Sequence, residues 1–547
     1  MKGNEDMKKP IFDRVLSMRN KDERFINGDL SMAYESKLES VEDAVELISE
    51  HMSKNHKIMI YGDYDSDGAT ASAVCHKAFN MLNYDNIVVK INERLLGNGI
   101  NQNTVDTLKA SPDVKLVITV DHGVANEFYI NAIRELGIDV IVTDHHTLRK
   151  GELPVSANVV VNPQKESVDT FKYISGCAVA YFVMYELLHH HNIKIEQSNE
   201  LLDLVGISII GDMMDMRDPI NRALVKEGMR ILNTDSMLGK VLCRKLKKDK
   251  LVSKDISFSV VPMLNASSRV SYSRISYMSL MANTVAECEM AVDELYDINH
   301  KRKLSQRKLV EVEVMPQVDN TKNSNIIVVS KKAVGLNGII SSVVGYGNNK
   351  PTITFIHGDE RMSGSCRGIV DTLDVKECLD WIDTTDDSIM ARDNGEAIYG
   401  GHSGAAGLTI NTDKFDKFSL LFREYIATND IKYTISKEDI IASTISLNEY
   451  GTKAEQLSKL IDLEPYGNHW KSPLISIEFD KIKNISTFNI STTTKIIKFT
   501  GSTDNVQIPI TMFKPIEYEF TPRGAIMVGT ISHVKDGFTM DVEHIIN

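Results

Sequence analysis

Lys57-Ile58-Met59-Ile60-Tyr61-Gly62-Asp63-Tyr64-Asp65-Ser66-Asp67-Gly68 is the stretch on which the reading of this chain turns. Its opening is a short apolar run, the pattern of a buried strand. The run ends in three aspartates at alternate positions, and Ala69 to Leu82 then reads as a helix. Outward from it the alternation repeats. Ile87-Val88-Val89, Leu116 to Val120, Val140-Ile141-Val142 and Val159-Val160-Val161 are further strand candidates, and Val124 to Leu136 reads as a helix. Continuous β-branched runs between helices predict a parallel sheet covered on both faces.

Acidic residues and imidazoles fall at the ends of these strands. Asp63, Asp65 and Asp67 follow the first, Asp121 and His122 another, and Asp144, His145 and His146 a third. In open parallel sheets, ligand sites lie beyond the carboxyl ends of the strands. One Asp after a strand is often only a turn former or a helix cap. Three strand ends, all acidic and two with His, point instead to a site. Clustered carboxylates repel unless divalent cations neutralise them. The mixed Asp and His donors suit Mn²⁺, with Mg²⁺ as the alternative, and they suffice for two ions, which would clamp a phosphoryl displacement. No Cys lies in the three motifs, which argues against a structural zinc site.

The composition bounds the rest. At about 150 residues per domain, 547 residues predict three or four domains. A net charge of −13 excludes a wholly basic nucleic-acid binder, though not a local basic channel. Two such clusters stand out: Lys240, Arg244, Lys245, Lys247, Lys248 and Lys250, and Lys301, Arg302, Lys303, Arg307 and Lys308. Charge runs are also commonly solvated helix faces. None of the six cysteines forms a CxxC pair, so a disulfide framework is not expected. The charged start and the lack of any apolar run near 20 residues predict a reduced cytoplasmic protein with no signal peptide and no membrane span.

Further along, Gly176 to about Arg230 reads as helical, and Thr284 to Val314 as a long charged connector helix. A second α/β pattern comes next, with strand candidates at Ile326 to Val329 and Thr352 to Phe355 and a Gly-rich turn at Gly400 to Gly404. From about Pro473 short strand-like runs dominate, and Pro509 would place its strand at a sheet edge. Phe499, Phe513, Tyr518 and Phe520 of this segment read mainly as core. The expected layout is 1–280, 281–318, 319–430 and 431–547.

Gly62 to Gly68 with Asp144-His145-His146 resembles the DHH phosphoesterase superfamily, and more narrowly its branch of single-strand-specific 5′→3′ DNA exonucleases. The likeness runs over most of the chain. Leu16 to Asn20 resembles an entry segment of that branch, Gly211-Asp212-Met213-Met214-Asp215 its fourth motif, and Asn265 to Arg269 an Asn-Ala-x-x-Arg motif. Gly364-Ser365-Cys366-Arg367 and Gly400-Gly401-His402-Ser403 are similar to two motifs of the DHH-associated domain, and Glu464 to Asn468 to the segment before a terminal OB-fold.

The resemblance implies an α/β protein: a parallel-sheet DHH domain, a long connector helix, a smaller α/β DHH-associated domain and a C-terminal OB-like β-barrel. It implies Asp65, Asp67, Asp121, His145 and Asp215 as metal ligands, with Asp63 and Asp144 as close supports within reach of a metal, and His146 either behind the ligands or on the leaving-group side. Arg94, Ser365 and Arg367 would hold a 5′ phosphate. Gly401, His402 and Ser403 would meet the substrate, and Arg269 and His402 would add positive charge at the scissile group. The implied reaction is two-metal hydrolysis of single-stranded DNA to 5′ mononucleotides, in repair and recombination, with a helicase and a single-strand-binding protein as candidate partners. The alternatives are a DHH phosphodiesterase for nanoRNA or cyclic dinucleotides, and a non-catalytic replication scaffold. The extra terminal domain and the Asn265 motif argue against the first, the intact acidic set against the second. Three positions depart from the pattern. His122 replaces an Asn, Tyr61 stands where some members have a metal-binding His, and Ala333 stands where this branch often has His.

Overall fold

The computed structural model describes residues 11–546 apart from 20, 95–98, 149–152, 166–168, 271, 319–324, 349, 370–372, 394, 403, 430–440, 447–458, 480, 490–493, 503–506, 516–524 and 535–536. The chain divides into two compact units, Met1–His300 with Ser458–Ser472, and Lys301–Leu457 with Pro473–Asn547. No described helix is long and apolar enough to cross a membrane.

The first unit is built on β1 (Lys57–Gly62), β2 (Ile87–Ile91), β3 (Val114–Val120), β4 (Asp139–Thr143) and β5 (Val159–Val161), in the order β2-β1-β3-β4-β5. All four pairings are parallel. The central strands are buried along nearly their whole length, which is why they read as unbroken apolar runs rather than alternating ones. The strand order reverses direction between β1 and β3, the switch point at which open parallel sheets bind ligands. Three helices bring residues to that end of the sheet: α1 (Ser66–Met81), α2 (Gly176–His190) and α3 (Leu202–Gly211). From Leu202 to Ile210 every residue of α3 is buried, so it lacks a polar face.

Segment 458–472, expected with the terminal domain, packs instead on the first unit. Its anchor is Arg222, fully buried. Arg222 Nε donates to the Phe25 carbonyl at 2.7 Å, and its two terminal nitrogens donate to the carbonyls of Pro465 (3.3 Å), Leu463 (2.9 Å) and Glu464 (3.0 Å). The guanidinium also lies 4.8 Å from the Phe25 ring and 5.2 Å from the Trp470 ring. Half of the first basic cluster is engaged in ion pairs: Arg244–Glu289 (2.8 Å), Lys245–Asp293 (2.6 Å) and Lys248–Asp255 (3.1 Å). The connector helix spans Val285–Leu309, and its Arg302 is buried rather than displayed.

In the second unit, β6 (Ile326–Ser330), β7 (Thr352–Ile356) and β8 (Arg361–Arg367) join β11 (Tyr399–His402) and β12 (Ala405–Asn411) in one mixed sheet, ordered β11-β12-β8-β7-β6. β9 (Arg392–Asp393) and β10 (Glu396–Ala397) form a separate small pair. Helix α4 (Asn337–Asn348) links β6 to β7. Ala333, fully buried, belongs to the apolar cluster that packs α4 against β6.

The remaining strands are β13 (Ile441–Ser446), β14 (Leu474–Phe479), β15 (Lys481–Asn489), β16 (Thr494–Ser502), β17 (Gln507–Pro515), β18 (Ala525–Val534) and β19 (Gly537–Ile546). They make one sheet, ordered β13-β14-β18-β19-β17-β16-β15. Among the described residues no pairing joins β13 to β15, so they show the seven-stranded sheet without the closure expected of a barrel. β17 is interior, not an edge strand. Pro509 is tolerated because pairing with β19 begins one residue later, at Ile510. Phe499 is core, as expected; Tyr518 and Phe520, and the side chain of Phe513, lie outside the described residues.

Candidate metal centre

The ends of β1, β3 and β4 bring the acidic motifs together. Asp65 caps α1, its Oδ1 accepting the N–H groups of Asp67 (2.9 Å) and Gly68 (3.3 Å). The capping carboxylate also lies beside those of Asp63 and Asp121. Asn265, from the expected Asn-Ala-x-x-Arg motif, buttresses the same turn by accepting the Ser66 N–H at 2.7 Å. Asp121 sits at φ +66°, a left-handed conformation costly for a non-glycine residue. Helix α2 can approach it only because residue 176 is Gly: a Cβ there would lie 2.4 Å from Asp121 Oδ1.

Among the described residues, three groups have donor atoms mutually within 4.8 Å: Asp63, Asp65 and Asp121; Asp67, His145 and Asp212; and Asp121, His145 and His146. The geometry at His145 is decisive. Its Nδ1 donates to the Ile174 carbonyl at 3.1 Å, so in the neutral ring Nε2 carries the lone pair. That atom faces Asp121 Oδ1 at 3.3 Å, Asp212 Oδ2 at 3.4 Å and Asp67 Oδ2 at 3.8 Å. Four donors so spaced repel one another and suit a common cation. Buried oxygens Asp63 Oδ1 and Asp121 Oδ1 also lack hydrogen-bond partners, which fits a cation site better than a hydrogen-bonded core.

Electrostatics agree. Burial and the Asp65 charge push the Asp63 carboxyl up to about 7. Burial and neighbouring carboxylates raise Asp65, and raise Asp121 and Asp212 well above the ordinary range. Asp144 is different. It accepts from Val124 N–H (3.1 Å), His145 N–H (2.7 Å), His146 N–H (3.1 Å) and His146 Nδ1 (2.7 Å). Burial would raise its pKa, but the His146 partnership holds it below the usual carboxylate range. His146 responds in kind: desolvation lowers it, yet Asp144 carries it up to about 10. Asp144 is thus held by hydrogen bonds and belongs to none of the three groups.

One expected ligand is not in the cluster. Asp215 points to Arg217, accepting its backbone N–H at 2.8 Å and a guanidinium nitrogen at 2.8 Å. Its place is taken by Asp212, the residue that caps the end of α3. Met213 follows at φ +55°, turning the chain away so that Asp212 and Asp215 diverge. His122 donates from Nε2 to the Tyr61 carbonyl at 3.0 Å, and burial pulls its pKa down to about 4. It is a neutral hydrogen-bonding ring and belongs to none of the three groups. The Tyr61 hydroxyl engages Asn92 (3.2 Å) and Thr104 (2.9 Å).

Arg94 lies 4.8 Å over the Tyr64 ring, and Arg269 acts electrostatically on the same tyrosine. In the second unit, Ser365 and Arg367 share one face of β8, beside the N-terminus of α4. A Cβ at Gly338, the second residue of α4, would lie 3.0 Å from an Arg367 terminal nitrogen and 3.1 Å from Ser365 Oγ. Arg367 is half-buried and its Nε donates to Ser342 Oγ at 3.2 Å. A hydroxyl, a guanidinium and a helix N-terminus make an anion-binding set. Gly401 takes φ +147°, a conformation that favours glycine. Ser403 and the His402 side chain lie outside the described residues.

Residues 57–209 match the family model for the DHH family, N-terminal domain. The chain is 29% identical over 480 residues to the single-stranded-DNA-specific exonuclease RecJ of Escherichia coli (strain K12), covering 84% of this chain and 80% of that one. Among solved structures it resembles RecJ from Thermus thermophilus in complex with Mn²⁺, with a TM-score of 0.79 and 20% identity, over 98% of this chain and 76% of that one. It also resembles an exonuclease RecJ bound to manganese, with a TM-score of 0.59 and 26% identity, over 72% of this chain and 95% of that one.

Proposed function

We propose that this chain, which belongs to the DHH family and aligns with its RecJ members over most of its length, is a metal-dependent, single-stranded-DNA-specific 5′→3′ exonuclease. The observation that carries the reading is the His145 Nε2 atom facing the carboxylate oxygens of Asp67, Asp121 and Asp212. Asp63, Asp65, Asp67, Asp121, His145 and Asp212 are the residues proposed to hold two divalent ions, Mn²⁺ or Mg²⁺. Bound there, the ions would offset the carboxylate charge and stabilise the attacking and leaving oxygens of a phosphodiester hydrolysis.

The chain's own groups supply the rest. Asp144 engages Nδ1 of His146, so the imidazolium carries its second proton at Nε2, on a half-exposed ring available to a leaving oxygen. Ser365 and Arg367, with the α4 N-terminus, are assigned the 5′ phosphate, and Arg94 and Arg269 further phosphate charge. Gly401, His402 and Ser403 are assigned to the substrate, and the terminal sheet, as an OB-like module, to the trailing strand. We place such an enzyme in the cytoplasm, alongside a helicase and a single-strand-binding protein.

Digestion of single strands labelled at either end, with and without a 5′ phosphate, in Mn²⁺ or Mg²⁺, tests polarity, pocket and metal together. The expected result is 5′ mononucleotide release that is fastest from phosphorylated ends. Attack from the 3′ end, or cleavage of dinucleotides alone, would overturn it.

A further inference from the structure

We propose that two fully buried serines, Ser175 and Ser208, form a directional hydroxyl relay that positions Asp67 for cation binding, a role that rests on the metal-dependent reading above. Asp67 lies in the first turn of α1 and is 2% exposed. Its two oxygens are treated differently. Oδ1 accepts from the Cys177 N–H at 2.8 Å and from Ser208 Oγ at 2.5 Å. Oδ2 accepts from the Gly176 N–H at 2.8 Å and is the oxygen that faces His145 Nε2. A carboxylate offers about two acceptor directions per oxygen. Oδ1 is therefore filled by protein donors, while Oδ2 keeps one direction on the side of His145 and Asp212.

The direction of the relay follows from proton counting. Ser208 has one hydroxyl proton, and an ionised carboxylate can only accept, so that proton goes to Asp67. The Ser208 oxygen must then accept from Ser175 Oγ, 2.6 Å away. Ser175 Oγ in turn accepts the Ala178 N–H at 3.3 Å, as the cap of α2. The chain of donors runs from the start of α2, through α3, to one named oxygen of Asp67. Ser208 also stands four residues before Asp212, one turn earlier on the same face of α3. A single helix thus delivers a hydrogen bond to one acidic residue and a carboxylate beside it. Linked hydroxyls in a dry interior polarise one another, and partners that orient ligands are worth about 10- to 100-fold in metal affinity.

The test is Mn²⁺ binding to the purified full-length protein without DNA, by calorimetry or by the paramagnetic signal of free Mn²⁺. Melting of the metal-free protein is recorded in parallel. Ser208→Ala is expected to weaken Mn²⁺ binding about tenfold, Ser175→Ala less but in the same direction, and Ser208→Thr, which keeps the hydroxyl, to restore most of the loss. The metal-free variants should melt close to the parent. Wild-type affinity in both alanine variants would overturn the relay, as would affinity losses that merely follow lost stability. If the parent itself binds no Mn²⁺, the metal-dependent reading fails instead, and the two failures are told apart by that arm alone.

Discussion

Asp212 and Asp215 lie three residues apart and have opposite environments. Asp212 Oδ2 is 3.4 Å from His145 Nε2 in a nest of carboxylates that raises its pKa well above the ordinary range. Asp215 is closed off by Arg217, which lowers its pKa against the effect of partial burial. Substituting the two separately should therefore give unlike results. Asp212→Asn removes a charge from the cation group, and we expect nuclease activity and Mn²⁺ affinity to fall by about 100-fold or more, beyond what a supporting residue costs. Asp215→Asn keeps an acceptor for Arg217, whose guanidinium is itself exposed, and activity should stay within about threefold. Equal losses from both, in a titration of Mn²⁺ against activity, would return the ligand role to Asp215. The sequence pattern alone favoured Asp215, which the fold turns toward Arg217. Both are Asp, both follow a helix, and only the left-handed Met213 between them decides which turns inward. A single positive φ leaves no periodic trace.

At the scale of elements, what could be read along the chain was what local physics controls. The central strands β1, β3 and β4 were visible because both faces of the sheet are covered there, so each is an apolar run followed by an acidic residue. The Ser175–Ser208 contact joins residues 33 positions apart, and nothing in either neighbourhood announces it. Closure of the terminal sheet is not legible for the same reason: strand-like runs are local, but closure depends on which distant strands pair. The return of 458–472 to the first unit is a further long-range feature, and Arg222 is its test. Asn468 ties that segment to the Asp212 turn, its side-chain amide donating to the Met213 carbonyl at 2.6 Å while its backbone carbonyl accepts the Met216 N–H at 3.0 Å. Arg222→Ala would strand several buried carbonyls, each costing about 1–3 kcal/mol, and also empty the space between Phe25 and Trp470. We expect the first unit to lose about 3 kcal/mol or more in urea unfolding, with Arg222→Lys recovering little because lysine lacks the planar fork. A loss under about 1 kcal/mol would show that the segment is not held there.

For the whole molecule, the net charge of −13 takes on a different meaning once its most crowded part is located. Asp63, Asp65, Asp121 and Asp212 all have raised pKa values in the metal-free fold, each chiefly through burial and then through a neighbouring carboxylate, Asp65 for the first and Asp67 for the other three. A carboxyl whose pKa is higher folded than unfolded keeps its proton in the folded state while the unfolded chain has already lost it. Stability therefore falls as pH rises from the ordinary value of 3.8, and for Asp63 the loss is complete only above about 7. Divalent cations reverse this, since they bind the ionised form and displace the protons. The metal-free protein should thus melt lower at pH 8 than at pH 6, and saturating Mn²⁺ should raise Tm by several degrees more at pH 8. Calorimetry in buffers of different ionisation enthalpy near pH 6.5 should also detect protons released on binding. Substituting Asp63→Asn removes one of these protons and should shrink both effects together. A Mn²⁺-induced shift that is the same at both pH values would mean that the acidic cluster is already ionised without metal, and that its repulsion is borne by the fold rather than by bound protons.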